Sequence, residues 1–401
     1  MRKQVIIFLL FLGIISFFSD FTHEGARSIY GQYLNVIGAS AFVIAFTAGL
    51  GEFIGQALRL LTGVIADKTK KYWLMMILGY AINLLAIPLL AFVNQSIWFV
   101  AIILILLERV GKAIRSPAKS ALTSFTAPHL GAGKAFAINE ALDQLGAFLG
   151  PLMVFFIVSS NSDMDALSKY QMSFAILGIF AIITLILLYV AKRKYPNPEG
   201  FEKKTIIQKD GLRKNKSFII YMFAISFVAI GFVDYPVIAY HLDLTANINV
   251  IYIPLLYSIA MGIDAIAALI FGYLFDRIGI LSLVIAILIA ALTTPFIFLS
   301  TTNVAIIIGI ILWGIGMGAQ DSILKAVVAN MIPKEKRATG YGIFSSIFGV
   351  SWFIGSMIFG LIYSYSLLGV VMFAVGSEII SIVLLFVLIS HQRKNIVINK
   401  V

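Results

Sequence analysis

The stretch VIIFLLFLGIISFFSDFTHEGARSIYGQYL, residues 5–34, is apolar for most of its length yet carries Asp20, His23, Glu24 and Arg27. At 100° per residue these four positions share one side of a helix and leave the rest of its surface apolar. The run is long enough to cross a hydrocarbon layer of about 30 Å, which takes about 20 residues. An ionisable group facing lipid at that depth costs roughly 2.5 to 3.5 kcal/mol on insertion scales, so the charged stripe must face a protein interior or a wet cavity. The helix lines something.

The rest of the chain has the same character. Of 401 residues, 60% are apolar and 12% charged, and the mean hydropathy of +0.99 excludes an ordinary soluble domain. Arg2 and Lys3 before the apolar run imitate a signal peptide, but the run is too long and no small-residue cleavage site follows, so it reads as a first membrane span. There is no cysteine, which removes disulfides, thiol catalysis and thiolate metal sites.

A window of about 20 residues predicts twelve spans, at 5–34, 41–66, 72–93, 97–125, 134–159, 169–191, 217–240, 249–275, 280–300, 303–331, 338–363 and 367–390. The expected fold is therefore an all-α polytopic membrane protein. Basic residues orient it: Arg2, Lys3, Lys68, Lys70, Lys71, Lys134, the segment 192–216, Arg277, Lys334, Lys336, Arg337, Arg393 and Lys394 fall on one side, and Lys169 alone on the other. By the positive-inside rule both termini are cytoplasmic, and the expected location is the plasma membrane. The net charge of +11 is then an inner surface beside anionic lipid, not a nucleic-acid footprint.

The polar stretch 192–216, with Pro196, Pro198, Gly200 and nine basic residues, divides the spans into two sets of six, 1–191 and 217–401. A weak repeat supports this division. Gly63-Val-Ile-Ala-Asp67-Lys68 recurs 209 residues later as Gly272-Tyr-Leu-Phe-Asp276-Arg277, and Gly111 and Gly318 are 207 apart. A duplicated six-helix unit around a central cavity is the architecture of secondary transporters.

These residues carry a family resemblance. GVIADKTKKY (63–72), with Gly63, Asp67, Lys68 and Lys71, resembles the cytoplasmic loop signature of the major facilitator superfamily, and GYLFDRIG (272–279), with Gly272, Asp276 and Arg277, is similar to its second-half copy. ERVGKAIRSPAKSAL (108–122) resembles the family's fourth-helix arginine pattern through Arg109. GAFLGP, with Gly146, Gly150 and Pro151, resembles the fifth-helix signature of its antiporters, although Val154 and Phe155 follow where small residues usually continue it. SDFTHEGARSIYGQYL (19–34) is similar to a prokaryotic branch of permeases. The resemblance implies twelve helices in two halves, a cytoplasmic gate at the two loop motifs and alternating access. On physical grounds, a glycine in the loop motif allows close helix approach and the following Asp can meet a helix N-terminus or a cation. Gly150-Pro151 is either a kink or a hinge.

Depth along each span, at 1.5 Å per residue, puts Glu52, Glu108, Arg109 and Glu378 near the midplane, with Asp143 just inside it and Asp20 somewhat outside it. Glu24 and Arg27 lie toward the outer mouth, and Arg59, Lys112 and Arg115 toward the inner one. Glu52, Gln56 and Arg59 share a face, as do Glu108, Lys112 and Arg115, and Glu140, Asp143 and Gln144. Chemistry is expected in the first half, with a carboxylate among Asp20, Glu24, Glu52 and Asp143 exchanging a proton against Arg109. Permanent ion pairs that never titrate are the plainer alternative.

His23 can relay a proton or join Asp20 and Glu24 at a metal, but one imidazole is thin support, and neither a metal nor another cofactor is expected. Gly314, Gly316 and Gly318 read as close helix contact. Trp313, Trp352, Tyr235 and Tyr257 can either face an amphipathic substrate or pack, and packing is the plainer role. The expected function is proton-coupled transport of a small solute by a monomer, with efflux of an amphipathic or cationic compound favoured over passage of an anionic metabolite on Arg27, Arg59, Arg109 and Lys112. A receptor or scaffold that moves nothing is the reading from another class.

Overall fold

The computed structural model describes residues 2–126, 132–160, 163–198, 216–245, 248–331 and 337–398, so most of the 192–216 stretch and Lys334 and Lys336 lie outside the described residues. Among these residues there are α- and 3-10 helices and no strands. The α-helices are α1 (Arg2–Arg27), α2 (Tyr30–Val36), α3 (Ala41–Thr69), α4 (Tyr72–Leu89), α5 (Trp98–Ser124), α6 (Ala132–Ser160), α7 (Ala166–Lys194), α8 (Lys216–Gly231), α9 (Tyr235–Thr245), α10 (Ile253–Ile278), α11 (Leu281–Ala291), α12 (Thr293–Phe298), α13 (Asn303–Met331), α14 (Arg337–Tyr363) and α15 (Leu367–Ile398). Three predicted spans are broken rods: α1 with α2, α8 with α9, and α11 with α12. Among the described residues, eleven spans are long and apolar enough to cross a membrane. The twelfth, α5, is 27 residues long, but Glu108, Arg109, Lys112, Arg115 and Lys119 interrupt its apolar run. The protein is a multi-pass membrane protein.

The breaks at α1/α2 and α8/α9 occupy corresponding places in the two sets of six. At the first, the Ser28 hydroxyl donates to Gly25 O at 2.6 Å, a local bond that competes with the helix ladder. At the second, Asp234 Oδ1 accepts the Tyr235 N–H at 2.9 Å, and Pro236 suits a first helical turn, whose N–H groups have no ladder partner. The Val233 carbonyl at that break accepts the Trp313 indole N–H at 2.9 Å. Backbone groups freed at membrane depth are thus re-satisfied from neighbouring helices.

The chain forms two compact units. The first comprises Met1–Ser40, Ile54–Ile206 and Leu242–Ser258; the second comprises Ala41–Phe53, Ile207–His241 and Ile259–Val401. In the first unit an apolar core of Phe8, Leu12, Trp73, Tyr80, Leu122, Leu188 and Tyr195 ties α1, α4, α5 and α7 together, and the Trp73 indole donates to Tyr195 O at 3.0 Å. In the second, Trp313 packs on Phe232 and Tyr235, and Trp352 packs on Phe232. Both tryptophans are buried, in agreement with the packing role expected for them. The outward side chains are apolar: Leu61, Ile186, Ile266 and Leu269, the last 78% exposed. That inversion of the soluble pattern suits a lipid solvent.

Glycine sets how closely the helices meet. A Cβ built on Gly146 would overlap Phe17 O, one on Gly150 would overlap Phe21 O, and one on Gly25 would lie 3.3 Å from Gly150 O. The α1–α6 seam is therefore backbone against backbone, as small residues four apart permit. Gly111 meets Asn83 and Gly79 of α4 in the same way, and Gly314 and Gly318 meet Ala260 and Asp264 of α10. Gly63 and Gly272, expected to allow close approach, instead have room for a methyl: their nearest contacts would be Pro117 at 3.7 Å and Ser322 at 3.9 Å. Gly150→Ala is accordingly expected to lose about 3 kcal/mol of stability through overpacking against backbone, and Gly63→Ala to stay within about 0.5 kcal/mol. Unfolding titrations in mild detergent check the pair, and equal effects would refute this account of the seam.

Candidate functional site

The charged stripe of α1 meets α5, which turns its own charges toward it because Glu108, Lys112, Arg115 and Lys119 recur every three or four residues. Gly79 and Gly111 bring α4 and α5 together at backbone distance, placing Asn83 and Tyr80 of α4 beside those charges. The polar network lies within the first unit and has two parts.

The first part centres on His23, which is fully buried. Its Nδ1 lies 2.8 Å from Glu108 Oε1 and its Nε2 3.4 Å from Glu24 Oε1. Asn83 donates its amide to Glu108 Oε1 and, at 3.0 Å, to Glu108 O. Arg109 Nε stands 3.4 Å from Glu108 Oε2. Glu24 is flanked by Arg27 at 3.7 Å and Lys112 at 3.8 Å, and its Oε2 accepts the Tyr257 hydroxyl of α10 at 2.6 Å. An imidazole whose two nitrogens both face carboxylate oxygens has a simple proton requirement. Neutral, it has one N–H and one lone pair, so one contact pairs a lone pair with an oxygen unless that oxygen carries a proton. The trio is therefore satisfied with one proton more than a neutral ring and two carboxylates hold.

The second part lies one turn back along α1. Arg115 donates to Asp20 Oδ1 at 3.2 Å and stacks 4.4 Å from the centre of the Tyr80 ring, a cation–π contact. Lys119 donates to Asp143 Oδ2 at 2.7 Å. Asn139 also donates to that oxygen at 3.3 Å, and Ser16 donates to Asn139 at 3.4 Å.

Of the residues singled out by sequence, Asp20, Glu24, Arg27, Glu108, Arg109, Lys112 and Asp143 come together here. Glu140 is exposed. Glu52 and Arg59 are both half-buried but belong to different compact units. Gly146 and Gly150 take part in the α1–α6 seam, and α6 runs without a break through Pro151. Lys68, Lys71 and Arg277 of the loop motifs are exposed, and Arg277 stacks on Tyr273 at 4.5 Å; the side chains of Asp67 and Asp276 are outside the described set. Asn83, Tyr80 and Lys119 were not singled out by sequence; Arg115 was placed on the face of Glu108 and Lys112 without a role, and Tyr257, read as packing, instead donates to Glu24. Of these, Lys119 had a usable signal, since it extends the face of Glu108, Lys112 and Arg115 by one turn. In this network Asp20, Glu24, Glu108 and Asp143 face Arg27, Arg109, Lys112, Arg115 and Lys119, four acids against five bases.

A model of the Major Facilitator Superfamily matches residues 9–355 and, again, 235–399. The chain is 31% identical over 385 residues to the uncharacterized protein Rv2265 of Mycobacterium tuberculosis, covering 94% of this chain and 92% of that one. It is 28% identical over 360 residues to the uncharacterized MFS-type transporter MJ1317 of Methanocaldococcus jannaschii, covering 88% of each. Among solved structures it resembles the nucleoside transporter NupG, with a TM-score of 0.72 at 14% identity over 96% of this chain and 98% of that one. It also resembles a bacterial homolog of the human lysosomal transporter Spinster, inward-facing and unoccupied, with a TM-score of 0.69 at 14% identity over 96% and 95%. At that identity these two likenesses carry the fold.

Proposed function

The chain belongs to the major facilitator superfamily and is thus a membrane transporter, and from that premise we propose proton-coupled movement of a small solute by alternating access between six-helix halves, 1–191 and 217–401, joined by the basic stretch 192–216. His23, Glu24 and Glu108 carry the coupling proton. The observation that supports this is the placement of both His23 nitrogens against carboxylates from two helices. Tyr257 gives the trio a link to the second half of the sequence: movement of α10 away from α1 withdraws a hydrogen bond from Glu24, and a carboxylate that loses a donor holds its proton more tightly. Proton occupancy and helix position are then coupled, as linkage requires. The loop motifs, through Lys68, Lys71 and Arg277, act at the cytoplasmic face of a monomer in the plasma membrane, with both termini inside.

The charge balance bears on the solute. The acids that would attract a cationic compound are already ion-paired, and the network has one cation in surplus. Lys112, with 21% of its side chain exposed, is the most accessible of the five. This favours an anionic solute over the amphipathic cation, with Lys112 as its anchor and Arg27 and Arg109 behind it. The fifth-helix resemblance favours proton exchange, hence export. A thermal-shift screen of purified protein against carboxylates, phosphate esters, nucleosides and lipophilic cations tests the solute class. The expected result is a carboxylate or phosphate ester whose half-saturating concentration rises at least tenfold in Lys112→Ala, one charge-assisted contact being worth about 1.5 to 3 kcal/mol. A hit confined to lipophilic cations and indifferent to Lys112 would overturn it.

A further inference from the structure

The inner end of the first unit holds a cavity of about 310 Å³ formed by the α3–α4 turn, the start of α4 and the end of α7. Three lysines line it, Lys70, Lys71 and Lys192, and no carboxylate does among the described residues. Lys70 occupies the turn with φ 55°, a conformation that non-glycine residues adopt rarely. Lys71 is the residue before α4, which begins without a side-chain cap and without an acidic residue in its first turn. Tyr72, Trp73 and Leu74 of that turn also line the cavity, so the positive end of an 18-residue helix adds to the three lysines. We infer that this cavity binds the phosphate of an anionic phospholipid from the cytoplasmic leaflet.

The walls distinguish this ligand from a free anion. Leu74, 48% exposed, forms one side of the cavity, and Leu78 continues the same lipid-facing surface one turn further into the bilayer, 50% exposed. An acyl chain has an apolar path leading directly from the lysines, which a free phosphate would not use. Trp73 is held by its hydrogen bond to Tyr195 O, giving the pocket a fixed wall at interface depth, where tryptophan is enriched. Pro196 and Pro198 complete the lining. Basic pockets between helices on this face are suited to phosphate headgroups.

The test follows the melting midpoint of the full chain in mild detergent while phosphatidylglycerol, phosphatidylcholine or inorganic phosphate is added at matched ionic strength. Phosphatidylglycerol is expected to raise the midpoint by on the order of 4 °C at saturation, and phosphatidylcholine to leave it unmoved. In Lys70→Asn/Lys192→Gln the half-saturating phosphatidylglycerol concentration is expected to rise about 30-fold, two lysine contributions being lost. Asn tolerates the positive φ at position 70, and Lys192→Gln alone, at an exposed site, serves if the double variant misfolds. Lys3→Gln/Lys216→Gln, which removes two exposed lysines away from the cavity, is expected to behave as the parent chain. Equal losses in the two double variants would reduce the effect to net charge and overturn the site. So would a parent chain indifferent to phosphatidylglycerol. If inorganic phosphate reproduces the whole shift, the lipid is refuted as the source and a free-phosphate site replaces it.

Discussion

His23→Gln is expected to reduce proton-linked flux by about 100-fold or more while the protein still folds and inserts. Gln keeps an amide that can donate to a carboxylate of the trio, but it cannot take up a proton between Glu24 and Glu108. The magnitude is that of losing a positioned proton-transfer group, about 10² to 10⁴. The measurement is internal pH in proteoliposomes loaded with a dye, after a gradient is imposed of whichever solute the thermal screen identifies. Unchanged melting with collapsed flux supports the assignment. Full flux in His23→Gln would remove the imidazole from the mechanism and return the proton to a carboxylate alone. Tyr257→Phe is expected to retain flux but shift its pH profile, because it removes one hydrogen bond from Glu24 and leaves the trio in place.

The second large effect concerns Lys119 and Asp143. Their side chains are mostly buried and 2.7 Å apart. Lys119→Met leaves the Asp143 carboxylate in a low-dielectric site with Asn139 as its remaining hydrogen-bond partner in the network, and breaking one side of a buried pair typically costs about 3 to 5 kcal/mol. Lys119→Met/Asp143→Leu is expected to recover most of that loss, since the penalty belongs to the unpaired charge and not to the missing attraction. Unfolding free energies in detergent for the two single variants and the double variant give the coupling directly. A Lys119→Met loss below about 1 kcal/mol would mean that water reaches Asp143 freely and that the pair is an exposed one.

The sequence made some features legible and concealed others for physical reasons. Hydrophobic run length announced eleven of the spans, and α5 was still legible because four of its five charges, Glu108, Lys112, Arg115 and Lys119, share one face and leave the opposite face apolar. The same period put Asp20, His23, Glu24 and Arg27 on one buried stripe. What period cannot supply is the rotation of one helix against another. The pairing of Asp20 with Arg115, and of Asp143 with Lys119, follows from how Gly79, Gly111, Gly146 and Gly150 let backbones approach, and those contacts are tertiary. Tyr257 lies 233 residues from Glu24, and no local signal separates it from the other tyrosines at membrane depth. The breaks at Ser28 and Asp234 went unseen for a related reason: both lie within the bounds of predicted spans, and a span's length does not show where its helix ladder is interrupted.

Gly146 and Gly150 have one further consequence. Where α1 and α6 touch without intervening side chains, neither can slide or roll on the other without driving a carbonyl into an α-carbon. The seam is thus a weld: across it, Asp20, His23 and Glu24 are carried with Asp143 as one solid piece. Relative motion of the helices has to be taken up elsewhere, at contacts that side chains can remake, such as Tyr257 with Glu24. Because the chain has no cysteine of its own, a pair of introduced thiol labels spanning α1 and α6 would read one constant distance throughout the cycle, an internal ruler against which every moving pair can be calibrated.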